Sequence, residues 1–212
     1  MPSKNSVKLY LENGHYHIYN RGIDKRIIFL DEQDYRVFLH LLKVLLSPPS
    51  LSDKHPLTEI TGFNPVRLRP ILDTLYKEVD LLAYCLMPNH FHLLIKQQPI
   101  KAMEQFMRRL TISYGMYFNK KYKRVGHVFQ DKFKAVNTKS NEQLMWSSSY
   151  IHMDPVKDKL VKHPSEYLWS SYNDFASNRN LLIVTKDLLT ETFGDQKSFI
   201  KETLNFSVKD GP

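Results

Sequence analysis

An α+β fold, with antiparallel strands layered against helices, is the expectation for this 212-residue chain. Three observations carry it. Short apolar strands and helical segments follow one another in the order β-α-(α)-β-β-α-β-α. Two apolar runs, Val79–Met87 and His90–Gln97, are parted only by Pro88 and Asn89, as in a tight antiparallel hairpin. Residues 101–123 repeat apolar side chains at helical spacing, through Met103, Phe106, Leu110, Tyr114 and Tyr117.

His15–Arg21 (HYHIYNR) reads as a strand that ends at the Gly22 turn. Asp31 is placed to cap a helix that aligns Tyr35, Phe38, Leu39, Leu42, Leu45 and Leu46, and the Pro48-Pro49 pair stops it. Residues 47–65 read as a surface excursion or local insertion, and a second helix is expected over 66–77. The hairpin and the long amphipathic helix follow. Residues 125–137 (VGHVFQDKFKAVN) are expected as a strand or hairpin. Ser140 starts a further helix, with Gln143 in the capping-box position and Pro155 as its stop near Met153. Helical pieces near 185–193 and 196–205 close the chain.

Composition narrows the class. Hydrophobic residues make up 42% and charged residues 25%, which suits a globular domain and excludes wholesale disorder. The single cysteine, Cys85, excludes an intrachain disulfide framework or a cysteine-based zinc site, and a reducing cytoplasm is the expected setting. The first residues have no apolar signal-peptide core, and no stretch is apolar enough to span a membrane. The net charge of +8 is unevenly spread. Residues 101–134 hold nine basic side chains against two acidic ones, a net +7 that leaves the rest of the chain close to neutral. Concentrated positive charge suits a polyanion such as nucleic acid, although a solvated helix face can look the same.

Side chains able to do chemistry cluster in two runs. In Met87-Pro88-Asn89-His90-Phe91-His92-Leu93, strand alternation puts His90 and His92 on one face, roughly 7 Å apart, with Phe91 and Leu93 on the other. Two such imidazoles can converge on a divalent cation. The spacing alone does not select this pair, because His15-Tyr16-His17 repeats it. In the helix that begins at Ser140, Tyr150 and Asp154 lie four apart on one face, with Asp154 expected just past the last regular turn. A carboxylate beside two imidazoles suits Mg²⁺ or Mn²⁺ in a phosphate-handling site, and a tyrosine hydroxyl can attack a phosphodiester. By chemistry alone Tyr114, Tyr117 and Tyr122 are rival nucleophiles.

The runs YHIYNRG (16–22), AYCLMPNHFHLLI (83–95), GHVFQDKFKAV (126–136) and YIHMDPVKDKLV (150–161), followed by Trp169-Ser170-Ser171-Tyr172, occur in that order. Together they resemble the single-tyrosine HUH transposases, in the branch of REP-associated tyrosine transposases. The resemblance spans about residues 14–175 and is poorest over 47–78. It implies an α+β, ferredoxin-like fold with an antiparallel central sheet flanked by helices. It also implies a domain over 1–175, with 47–78 an insertion and 176–212 a helical C-terminal tail. Further, it implies that Tyr150 is the catalytic nucleophile and that His90, His92 and Asp154 hold Mg²⁺ or Mn²⁺, with His15-x-His17 left to the first strand. Asp154 departs from the Asn or Gln of many relatives, and Lys132 stands where most carry Arg.

The implied activity is transposition: metal-dependent cleavage and rejoining of single-stranded DNA through a 5′-phosphotyrosine. The expected partner is single-stranded DNA with a hairpin. Arg21, at the end of the first strand, and Arg108, Arg109, Lys120, Lys121 and Lys132 are the expected DNA contacts. A homodimer with a composite site and a monomer with its site in cis both fit the resemblance. The competing readings are a domesticated relative that processes hairpin repeats, a DNA-binding protein without catalysis, and a structural-metal binder.

Overall fold

The computed structural model describes residues 9–48, 74–177, 179, 181 and 183–206. Its centre is a four-stranded antiparallel sheet made of β1 (His15–Arg21), β2 (Val79–Met87), β3 (His90–Gln97) and β4 (Lys134–Thr138), in the order β2-β3-β1-β4. Helix α1 (Glu32–Leu46) connects β1 to β2, and α2 (Ala102–Lys121) connects β3 to β4. This β-α-β-β-α-β path with β1 and β3 in the middle is the expected ferredoxin-like arrangement.

The sheet has two differently used faces, and the period-two alternation of its strands decides which side chain goes where. Tyr16, Ile18, Tyr84, Leu86, Phe91, Leu93 and Ile95 pack against α1 and α2 to form the main core. On the opposite face Ala83, Cys85, Met87 and Leu94 pack under α3 (Asn141–Lys157) and the helices that follow it: α4 (Tyr172–Ala176), α5 (Asp187–Phe193) and α6 (Gln196–Leu204). Leu189, Phe193 and Phe199 of α5 and α6 belong to this second core, so the C-terminal helices pack against the body of the domain.

Local chemistry explains most boundaries. The Asp31 carboxylate accepts from the Asp34 amide, and the Asp34 side chain closes the reciprocal bond of a capping box at the start of α1. The buried Asp34 also accepts from the Tyr117 hydroxyl at 2.8 Å, the Tyr122 hydroxyl at 2.7 Å and Lys121 Nζ at 2.8 Å, which pins α2 to α1. His152 pins α3 to the sheet, since its Nε2 lies 2.8 Å from Ser171 Oγ, which in turn accepts from the Tyr84 amide. Burial, with help from the Arg179 charge, pushes the His152 pKa down to about 3, so the ring is neutral.

Three expectations need correction. Residues 125–133 are neither strand nor hairpin. Their backbone bonds go to the end of β1 instead: Ile23 N–H donates to Val128 O and Gln130 N–H to Arg21 O, and regular pairing begins at Lys134. Pro155 does not stop α3, which runs on to Lys157 and places Asp154 inside the helix. Pro155 lacks an N–H, but the helix closes around it through Asp158 N–H to Asp154 O and Leu160 N–H to Pro155 O. Of the helix expected over 66–77, residues 74–77 are not helical, with 76 and 77 in a turn, and the rest lies outside the described residues.

Candidate active site

His90 and His92 emerge from β3 on the face away from α1 and α2, where α3 crosses the sheet. The carboxylate of Asp154 meets them there. Its Oδ2 lies 3.0 Å from His90 Nε2 and 3.5 Å from His92 Nε2. One potential ligand atom from each of the three residues falls within 4.8 Å of the others, the one such group among the described residues. The outer nitrogen of each ring is also engaged. His90 Nδ1 lies 2.6 Å from Asn89 Oδ1, and His92 Nδ1 lies 2.8 Å from His17 Nε2. A proton on each Nδ1 satisfies those contacts and is the tautomer that frees Nε2 for a cation shared with Asp154; an Nε2 proton, which donates to Asp154, is the alternative when no cation is bound.

The electrostatics agree with that role. Burial alone would raise the Asp154 pKa. The hydrogen bonds from His90 and His92 outweigh it and hold the carboxyl well below the usual range, so it is an anion at neutral pH. Burial lowers the pKa of His92 despite the pull of Asp154, and lowers that of His17 further, so both rings are neutral. Two imidazoles and one carboxylate form a donor set that fits a divalent cation on chemical grounds.

Tyr150 stands one turn before Asp154 on the same helical face. Its ring lies 5.6 Å from the His92 ring and 5.7 Å from the His17 ring, and stacks on Trp146 at 5.3 Å and 19°. Phe206, at the end of the described chain, packs edge-on against both Trp146 and Tyr150. Burial raises the phenol's pKa and the Asp154 carboxylate adds to it, while Lys157 acts in the opposite sense. Lys157 Nζ sits 4.9 Å from the centre of the Tyr150 ring and 3.9 Å from Asp154 Oδ1. Tyr150, Asp154 and Lys157 thus occupy positions i, i+4 and i+7 of one helix face.

The rival tyrosines lie on the other side of the sheet. Tyr114 donates to Ile28 O in the main core, and Tyr117 and Tyr122 donate to Asp34. Of the basic residues, Arg21 is the register partner of His90 and its Nε donates to Gln130 Oε1 at 2.5 Å, so it is held beside the site. Arg108 and Lys132 line a groove of about 630 Å³ between α2 and residues 126–133. Lys120 is exposed and Arg109 half-buried, both on α2. Lys121 is committed to Asp31 and Asp34, each at 2.7–2.8 Å.

Sequence reasoning misses four contributors: His17, Asn89, Lys157 and Phe206. Ending α3 early at Pro155 hides Lys157. His17 shares a strand face with His15, but its meeting with His92 depends on the β1–β3 register, Tyr19↔His92 and His17↔Leu94, which no local pattern encodes. Phe206 reaches Tyr150 through the packing of α6, another non-local event.

Comparison with known proteins adds independent findings. Residues 67–154 match the family model described as "Transposase IS200 like". No curated protein matches the chain. Among solved structures, a REP-associated tyrosine transposase bound to a REP hairpin is similar at 15% identity and a TM-score of 0.49, over 79% of this chain and 82% of that one. A putative transposase from Deinococcus radiodurans R1 is similar at 13% identity and a TM-score of 0.36, over 68% of this chain and 91% of that one. The matched stretch 67–154 contains His90, His92, Tyr150 and Asp154, so the motif resemblance to the single-tyrosine transposases is borne out as a similarity to the IS200-like transposases over these residues.

Proposed function

We propose that this protein cleaves and rejoins single-stranded DNA, with Tyr150 as nucleophile. The observation that carries the reading is the convergence of His90, His92 and Asp154 beside a tyrosine ring from α3, all within one chain. The Tyr150 oxygen attacks a backbone phosphorus. The bond from phosphorus to the 3′-oxygen breaks, and that oxygen leaves and takes up a proton as the phenol loses one. The 5′-phosphate remains on Tyr150, and the bond energy is conserved in the phosphotyrosine. A free 3′-hydroxyl attacks it in the reverse sense, reseals or transfers the strand, and restores the phenol, so no nucleotide cofactor is consumed.

His90, His92 and Asp154 would hold Mg²⁺ or Mn²⁺, which supplies charge neutralisation at the phosphate oxygens. Asn89 and His17 hold the two imidazoles in the ligating tautomer. Lys157 places a positive charge against the Tyr150 ring and favours the phenolate that must develop. The DNA contacts proposed are Arg21 beside the site and Arg108, Arg109, Lys120 and Lys132 along α2 and the 126–133 segment. Lys121 is left out because its charge is already paired. A single-stranded flank next to a hairpin is the proposed substrate, because an extended backbone can lie across β3 to reach Tyr150.

The test is incubation of pooled hairpin-bearing oligonucleotides with protein and Mg²⁺ or Mn²⁺. A covalent protein–DNA adduct is expected with the wild-type protein and none with Tyr150→Phe, which should still bind. An undiminished adduct in Tyr150→Phe, or full cleavage in EDTA after bound ions are stripped, would sink the proposal.

A further inference from the structure

A cavity of about 390 Å³ lies between β4 and α3, continuous with the candidate site through Tyr150 and His92 in its lining. Tyr19, Trp146 and His17 give it flat aromatic walls, and Tyr150 itself is part of the lining. Thr138 and Trp146 also belong to the lining, and Thr138 Oγ1 and Trp146 Nε1 are buried with no hydrogen-bond partner among the described residues. Thr138 is 7% exposed. Buried polar groups are rarely left unpaired, so a ligand edge seated beside these two residues would have donors and an acceptor to meet. Lys134 Nζ lies 6.0 Å from the centre of the ring of Tyr19, a lining residue, and brings a cation for a phosphate of the same ligand.

We infer that this cavity receives one nucleobase of the DNA strand, from the nucleotide next to the phosphate that Tyr150 attacks. The inference rests on the proposed function and deepens it. A base is flat, so it suits aromatic walls, and stacking works for any of the four. Its edge always carries an acceptor for the Trp146 N–H, and the Thr138 hydroxyl can donate or accept as the base requires. Because Tyr150 lines both the cavity and the catalytic cluster, a base seated here fixes its own phosphate at the nucleophile. The cavity is thus a positioning pocket for the scissile nucleotide, and the hydroxyl–indole pair accepts several bases.

The experiment places 2-aminopurine at successive positions of a single-stranded oligonucleotide bound to Tyr150→Phe protein, where no cleavage intervenes. Fluorescence quenching concentrated at one position is expected, and an abasic residue at that position should weaken binding about 5- to 150-fold, the range for loss of one aromatic-stacked base. Trp146→Leu and, separately, Thr138→Val in the otherwise unaltered protein should each shrink the abasic penalty, because a pocket that no longer grips the base has less to lose. Quenching spread evenly along the strand, or an abasic penalty that survives both substitutions, would overturn the pocket. The two failures are distinguishable: a covalent adduct in the wild-type protein without an abasic penalty removes the pocket and spares the reaction, whereas no adduct with any oligonucleotide removes the reaction.

Discussion

Replacing His17 with phenylalanine keeps an aromatic ring beside Tyr19 and Tyr150 but removes the nitrogen that meets His92 Nδ1 at 2.8 Å. His92 is 6% exposed, so water cannot readily replace the missing partner. An unpaired buried polar group costs about 1–3 kcal/mol. His92 can escape that cost by moving its proton to Nε2 and donating to Asp154, 3.5 Å away. That tautomer turns its lone pair away from the cation site. Loss of such an orienting partner typically costs 10- to 100-fold in metal affinity, or about 1.4–2.7 kcal/mol. Manganese binding followed by electron paramagnetic resonance should therefore weaken by that factor in His17→Phe, and nitrogen-15 spectra should show His92 protonated at Nε2. His17→Gln, whose amide oxygen can accept from Nδ1, should recover part of the affinity, which a purely space-filling role would not predict. Unchanged Mn²⁺ affinity in a folded His17→Phe protein would refute the reasoning.

Lys157→Met keeps the aliphatic stem and removes the charge, and should slow adduct formation about tenfold while DNA affinity changes little; this is the low end for a hydrogen bond to a charged group because Lys157 is half exposed. Lys121→Met should destabilise the fold toward the low end of the ~3–5 kcal/mol seen when a buried pair loses one partner, since Asp34 keeps its tyrosine donors; a denaturant midpoint that does not move would contradict the pairing. Burial opposes ionisation of Asp31, but Lys121 holds its pKa below the usual 3.8, so the small contribution of this half-exposed pair is present above that pH and lost as pH falls through the depressed value. Alanine at Arg108, Arg109, Lys120 and Lys132 together should flatten the salt dependence of binding by about 0.7 in log–log slope for each phosphate left without its cation, and an unchanged slope would move the DNA elsewhere. Mixing Tyr150→Phe protein with His92→Ala protein should give no adduct, because the nucleophile and the imidazoles meet within one chain; restored adduct would show exchange between subunits.

The elements whose signals are local are legible in the sequence. The hairpin at Pro88-Asn89, the helix cap at Asp31 and the long stripe of α2 each depend on residues within a few positions of one another, and the structure has them where the patterns put them. So does the shared face of His90 and His92, since strand alternation is a two-residue property. The failures share a cause. Residues 125–133 carry strand-like composition, but their backbone partners are Arg21 and Ile23, about a hundred residues earlier, so composition cannot report them. Pro155 reads as a helix stop by a rule that concerns steric preference for the preceding residue. The packing of Ile151 and Leu144 in the second core and the bonds across Pro155 outweigh that preference here. The neutral, orienting His17 needs the β1–β3 register, which is set by the whole sheet.

The candidate site joins two periodicities, and this makes its integrity a matter of docking. The strand supplies two imidazoles, the proposed ligands, at i and i+2, and the helix supplies the proposed nucleophile, a carboxylate and an ammonium at i, i+4 and i+7. Neither element can be adjusted by one residue without turning the whole set away, because a one-residue slip reverses a strand and rotates a helix by about 100°. What holds the two in register is therefore as much a part of the site as the reacting groups. His152, between Tyr150 and Asp154 in sequence but on the opposite side of α3, reaches Ser171 and through it the backbone of β2. Tyr167 donates to Leu86 O on the same strand at 2.6 Å. Phe199 of α6 packs on His152, and Phe206 after it packs on Tyr150. The C-terminal helices thus press α3 onto the sheet from behind, and Phe206 touches the Tyr150 ring from the side. A chain cut after residue 175 would keep every reacting group and lose the packing that aligns them.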